Sequence, residues 1–345
     1  MTALPPARRA GSLSGGVWWR GIGCAVAICY AQPMSASPSV AARGAFLRGL
    51  YRRPALLLVV TTLIWGSNAV AARLAVGHVS PMMLTTARWG IACIALWFVA
   101  RQQVAQHLPA LRGRWMYLAL MGVSGFTAFN ALFYAAAHHT TAVNLSLIQG
   151  MIPVLVLLGG VMFFGLRVTA LQMVGVVITL AGVAVVASRG SWAALAALDI
   201  NLGDAWILLA SLLYAGYTLG LRSRPAVPPL VFFSAVAVVA ALASLPLLAV
   251  EVLSGRFFWP TPWGWAILVY IGLLPSFVSQ ILFIRAVEMI GPARASVFLN
   301  LNPVFGPALA VGVLGEPVGW YHAVALAMVL GGIWIAERLG TRRPV

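Results

Sequence analysis

The chain has no lysine. All 22 of its basic residues are arginine, set against only 6 acidic residues in 345. Without lysine a phosphate-cradling GxxxxGK[ST] loop cannot be written, so ATP hydrolysis through such a loop is not its energy source. A membrane-embedded enzyme would need a nucleophile, a metal cluster or paired carboxylates at one depth; six carboxylates, mostly at loops, do not supply that. Cysteine is also scarce. Cys24, Cys29 and Cys93 form no spaced framework, which argues against a disulfide scaffold or a metal site, and no cofactor is expected. Only 8% of residues are charged, where a soluble domain keeps roughly a quarter, so this chain cannot cover a water-facing surface.

What is present is apolar length. Hydrophobic residues make up 62%, and runs of about twenty recur at about 55–76, 81–100, 115–137, 142–164, 169–188, 204–222, 230–250, 264–286, 292–314 and 319–337. Each is long enough to cross a hydrocarbon core of ~30 Å. The fold class expected is an all-α polytopic membrane protein with ten transmembrane helices and short connections. Net charge of +16 does not point to nucleic acid, because the arginines are sorted by loop. Arg43, Arg48, Arg52, Arg53, Arg101, Arg112, Arg114, Arg167, Arg222, Arg224, Arg285, Arg294, Arg338, Arg342 and Arg343 all fall on one side of ten spans. The other side holds Arg189 and Arg256 with Asp199, Asp204, Glu251 and Glu316. The positive-inside rule then places both termini in the cytoplasm of an inner-membrane protein. Residues 1–54 imitate a signal peptide around GIGCAVAICYA, but the arginines that follow stay inside, so an N-terminal extension, disordered or arising from a start site placed too early, is expected there.

A shift of 150 residues reveals a repeat: Gly122 falls on Gly272, Ser146 on Ser296, Pro153-Val154 on Pro303-Val304, Gly165 on Gly315 and Gly182 on Gly332. The units are 55–190 and 203–338, five spans each. Five is odd, so like-folded copies enter the membrane from opposite sides and form inverted repeats about an axis in its plane. The arginines follow the membrane side instead of the repeat: Arg285 and Arg294 face Ala135 and Asn144 in the alignment.

Residues 298–309 read FLNLNPVFGPAL, a poor recipe for a lipid-facing helix. Pro303 cannot donate a backbone hydrogen bond, and an unsatisfied group in hydrocarbon is tolerated only beside protein or water. Ser296, Asn300, Pro303 and Pro307 share one helical stripe, matched on the fourth span by Ser146, Gln149 and Pro153. A kinked helix showing its amides to a central cavity is expected, with Pro153, Pro303 and Pro307 as hinges; the competing explanation is interhelical hydrogen bonding. Candidate substrate-binding residues are Asn300, Asn302 and Gln149, then Asn130 and Gln280 at mirrored depths. Trp65, Asn68, Tyr214 and Tyr217 would add ring faces and polar edges. Arg88 lies well inside a span at a cost of about 2.5–3.5 kcal/mol, so it either snorkels outward or answers an anionic group on the substrate. Arg73 is expected to snorkel, Glu316 to complement the start of the tenth span, and His322 to sit at an interface. His138-His139 lacks a third ligand nearby.

The stretches LIWGSNAVAARLAV (63–76), SPMMLTTARWGIACIAL (80–96), AVNLSLIQGMIPVLVLLGGVMFFG (142–165) and ARASVFLNLNPVFGPALAVGVLGEPV (293–318) resemble the EamA-type branch of the drug/metabolite transporter superfamily. That resemblance covers essentially everything after residue 55. It implies a ten-span permease, in a family rich in exporters of amino acids and metabolites. Asn302 stands where the family usually has an acidic residue with leucine or serine before its Pro-Val. Expected partners are the lipid bilayer and a small-molecule substrate, with a homodimer left open. A sugar-phosphate or nucleotide-sugar exchanger using Arg88 is the alternative.

Overall fold

Proline placement sets much of the helical order. Pro54, Pro81, Pro229 and Pro262 each stand in the first turn of a helix, where the missing N–H would have had no partner. The computed structural model describes residues 52–191, 193, 201–291, 295 and 298–336. Expectations for residues 1–51, Asp199, Arg294, Ser296 and the arginines beyond 337 lie outside the described residues.

Among the described residues the elements are helices: α1 Pro54–Ala75, α2 Pro81–Arg112, α3 Trp115–Ala136, α4 Ala142–Phe164, α5 Ala170–Ala187, α6 Leu202–Ser223, α7 Pro229–Leu253, α8 Pro262–Ile290, α9 Asn302–Leu314 and α10 Trp320–Trp334. The first eight are long and apolar enough to cross a membrane; α9 and α10 are apolar but shorter. The α2 helix runs on to Arg112, so Arg101 and Arg112 ride on a helical extension instead of a connecting loop. Large side chains such as Trp97, Phe98, Leu212 and Val313 are exposed around the bundle, as suits a surface solvated by acyl chains.

The copies share irregularities as well as helices. Both α3 and α8 widen to π-helical turns, at Val123–Ala128 and Leu274–Val278. Both α4 and α9 end on left-handed glycines, Gly165 and Gly315, each with φ 63°. The expected proline kinks take a different form. The chain breaks into a tight turn before each proline: Gly150 and Met151 donate to Leu147 and Ile148 carbonyls (3.0 and 3.1 Å), and Leu301 donates to Phe298 (3.0 Å). Helix then restarts at Ile152 and Asn302, so Pro153 and Pro303 lie in a first turn where they cost no hydrogen bond.

Each helix finds its main partners in the other repeat. Thus α5 packs along α10, α2 along α7, α1 against α8 and α9, and α6 against α3 and α4. The α5–α10 crossing is close enough that a Cβ on Gly332 would stand 2.5 Å from the Gly175 carbonyl. Such interlocking means that neither repeat is a separate body.

Candidate functional site

The π turns lead to the cavity. Asn130 follows the one in α3 and donates to Phe126 O inside it (2.6 Å), while Ser276 lies inside the one in α8 and donates to Ile271 O (2.8 Å). Between them comes Arg88 of α2, only 5% exposed. Its Nε donates to Ser276 Oγ (2.8 Å), and its Nη1 donates to Asn130 Oδ1 and Tyr134 OH. The Tyr134 hydroxyl donates to Asn68 Oδ1 (3.1 Å). The guanidinium also lies 5.0 Å from the Trp89 ring centre and 5.4 Å from that of Tyr134. Arg88 therefore does not snorkel; polar groups from both repeats hold it inward. None of the ion pairs among the described residues involves it.

The cavity measures about 160 Å³, room for on the order of ten water molecules. From the first repeat its lining includes Trp65, Asn68, Arg88, Asn130, Gln149 and Pro153. From the second it includes Tyr214, Gln280, Asn300, Asn302 and Pro303. Two candidates fall elsewhere. Tyr217 is not part of the lining; its ring covers Gly125, whose added Cβ would meet it at 2.3 Å, and its centre lies 5.4 Å from those of Phe126 and Tyr214. Pro307 sits within α9, away from the lining. Trp65 packs on Phe283 at 5.4 Å and Tyr214 on Phe129 at 5.0 Å, so both rings also contribute to packing.

Sequence reasoning passed over Trp89, Phe126, Phe129 and Pro275, which line the same space. Gly125 and Pro275, spaced by the repeat, were the available signal for the two π turns, which often mark functional positions. It also missed a buried polar chain at the starts of α4, α6 and α10. There Asp204 accepts from Thr140 Oγ1 (2.5 Å) and Asn144 Nδ2 (3.3 Å), and Asn144 Oδ1 faces His322 Nε2 (3.3 Å). His322 is thus an interface residue with a defined partner.

Glu316 and Glu251 cap helix starts and are not part of the cavity lining. Glu316 accepts from Ala142 N (2.9 Å) and Val143 N (3.1 Å), capping α4 and not the start of α10. Negative charge is favoured at either N-terminus, but the α4 amides are the ones within reach. Glu251 does the same for α2, accepting from Met82 N (3.1 Å), Met83 N (3.2 Å) and Ser80 Oγ (2.6 Å). Arg73 reaches the helix ends: it donates to Ala137 O in the turn after α3 and stands 3.8 Å from Glu316. His138, in the turn after α3, has its pKa lowered, first by desolvation and then by His139 and Arg73. His139 packs edge-on against Trp206.

The pattern of the EamA-like transporter family matches residues 52–188 and again 201–337. The chain belongs to that family. Its two EamA domains fit an inverted repeat, and the residues they match span the helices that line the cavity. Relatives include the uncharacterized transporter YyaM of Bacillus subtilis (strain 168), 23% identical, with 82% of this chain and 92% of that protein covered. A probable terminal-alkyne amino-acid exporter of Streptantibioticus cattleyicolor is 28% identical over 83% of this chain and 94% of its own. The uncharacterized inner membrane transporter YedA of Escherichia coli (strain K12) is 24% identical over 78% and 85%. A solved crystal structure shares the fold with a TM-score of 0.60 at 20% identity, covering 84% of this chain and 99% of its own. The protein is a multi-span, EamA-type membrane transporter.

Proposed function

We propose that this EamA protein is a ten-span secondary transporter that moves small organic metabolites or amino acids by alternating access. In this reading α9 and α10 complete the ten, the repeats are inverted, and both termini face the cytoplasm. The observation that carries it is the shared cavity: both repeats deliver amides to one space beside the break in α4 and the turn before α9. Trp65, Asn68, Arg88, Asn130, Gln149, Tyr214, Gln280, Asn300 and Asn302 hold the solute, and the breaks before Pro153 and Pro303 flex. In this reading the motion runs between mixed bundles, α1 with α8 and α9 against α6 with α3 and α4, with the α4–α9 contact as their seam. Export is the direction suggested by the relative named as an amino-acid exporter.

The test is flux. Purified protein in liposomes is screened with labelled amino acids and metabolites, with and without a pH gradient. Uptake above protein-free liposomes is expected for at least one solute, and the combined Asn302→Ala, Gln280→Ala and Trp65→Ala variant should lose it. Full uptake by that variant removes these residues from the site.

A further inference from the structure

We propose that the cavity grips its solute through one monoanionic, carboxylate-like group held by Arg88 and Trp89, and that it rejects both dianions and plain cations. This rests on the transporter reading and narrows its substrate class.

The case begins with charge. Among the described residues lining the cavity, Arg88 is the only charged side chain. It is 5% exposed and takes part in none of the ion pairs among the described residues, so no described side chain supplies it a counter-charge. A monoanion neutralises the site, a dianion leaves it at −1, and a cation raises it to +2; the last two are costly where dielectric screening is weak.

Hydrogen bonding narrows the match further. The Nε and Nη1 of Arg88 are taken by Ser276, Asn130 and Tyr134, while Nη2 donates to none of the described residues. Trp89 is 2% exposed, and its buried indole Nε1 has no acceptor among the described residues. The guanidinium carbon lies 5.0 Å from that ring's centre, and two such donors, one of them cationic, suit a group with two oxygens sharing a negative charge. The complementary group is an acceptor: Asn302 Oδ1 is buried and receives no hydrogen bond among the described residues. Asn302 offers an ammonium or hydroxyl donor a partner without adding charge. A zwitterion meets both, its carboxylate on Arg88 and its ammonium on Asn302, and leaves the net charge of the cavity as it is when empty.

The experiment uses the full chain in liposomes, incubated with a mixture of the twenty proteinogenic amino acids, their amides and glucose 6-phosphate. Lumen contents are read by mass spectrometry against protein-free liposomes. At least one amino acid should accumulate, preferred over its own amide by about tenfold or more, because the amide forfeits a charge-assisted hydrogen bond. Glucose 6-phosphate should remain at the protein-free level. Arg88→Gln should abolish the preference and Arg88→Lys retain part of it. Ser276→Ala keeps the charge and loosens its aim, so half-saturation should rise several-fold with the maximal rate unchanged; it guards against misfolding of the glutamine variant. Amides carried as well as acids, glucose 6-phosphate uptake, or an intact preference in folded Arg88→Gln overturns the Arg88 assignment and leaves transport standing. No solute above the protein-free level sinks the transport reading and this one together.

Discussion

Gly306 of α9 meets Ser146 of α4 beside the cavity, and that contact gives a sharp test of how closely the two broken helices approach. A Cβ added at Gly306 would stand 2.0 Å from Ser146 Oγ and 2.3 Å from its Cβ, with the next atom, Ser146 Cα, at 3.7 Å. The obstruction is one side chain. Gly306→Ala should therefore destabilise the protein as an overpacked core does, by about 1–3 kcal/mol. Ser146→Gly costs about 0.5–1 kcal/mol through backbone entropy alone. Combining them removes the clash, because the new methyl then faces only a Cα at van der Waals distance. The double variant should be more stable than Gly306→Ala itself, with a favourable coupling of about 1–2 kcal/mol. Thermal unfolding of the four purified proteins in one detergent measures the cycle. Additive effects, or a double variant worse than either single one, would mean that α4 and α9 do not approach this closely.

Two further outcomes follow from hydrogen bonds made and not made. Glu316→Ala strips the cap from α4 and the ion-pair partner from Arg73, and should cost about 0.5–2 kcal/mol in thermal unfolding, with Glu316→Gln milder; an unchanged melting temperature would reject the cap. Asn302→Ala removes an oxygen that receives no hydrogen bond, so stability should change by only about 0.5 kcal/mol while solute half-saturation rises in liposome flux. A large loss of stability instead would make Asn302 a structural amide.

The cavity was legible wherever a residue broke the rules of a lipid-facing helix. Asn130, Gln280, Asn300 and Asn302 are costly in hydrocarbon, and Pro153 and Pro303 are costly in mid-helix, so their presence pointed inward. The inward turn of Arg88 was not decidable, since its partner Ser276 is 188 residues away and depends on how two repeats interleave. Tyr217 was misplaced because helical counting puts it one turn from Tyr214 on the same face. The π turn in α3 instead brings Gly125 and Phe126 beneath its ring. Hydropathy cannot register a π turn: one extra residue shifts the face without changing composition. Glu316 illustrates the same limit, for its nearest helix start in sequence is α10 while its amide partners are in α4.

The proposed alternating access fixes which contacts must open. If α1, α8 and α9 move against α3, α4 and α6, the α4–α9 contact must change during a cycle, while α5 and α10, packed along each other, need not separate. Two cysteine pairs in a background with Cys24, Cys29 and Cys93 replaced by serine separate these cases. A Cβ on Gly150 would stand 3.3 Å from Pro303 Cβ, and one on Gly182 would stand 2.9 Å from Met328 Cβ, both shorter than the ~3.5–4.5 Å that a disulfide spans, so each helix pair must part slightly to form its bridge. Gly150→Cys with Pro303→Cys should transport when reduced, stop when oxidised and recover on reduction, so each protein is its own control for the strain of the substitutions. Gly182→Cys with Met328→Cys should keep its flux in both states. Unchanged flux through an oxidised 150–303 pair would show that α4 and α9 stay together while solute passes, and the alternating bundles would have to be drawn along another seam.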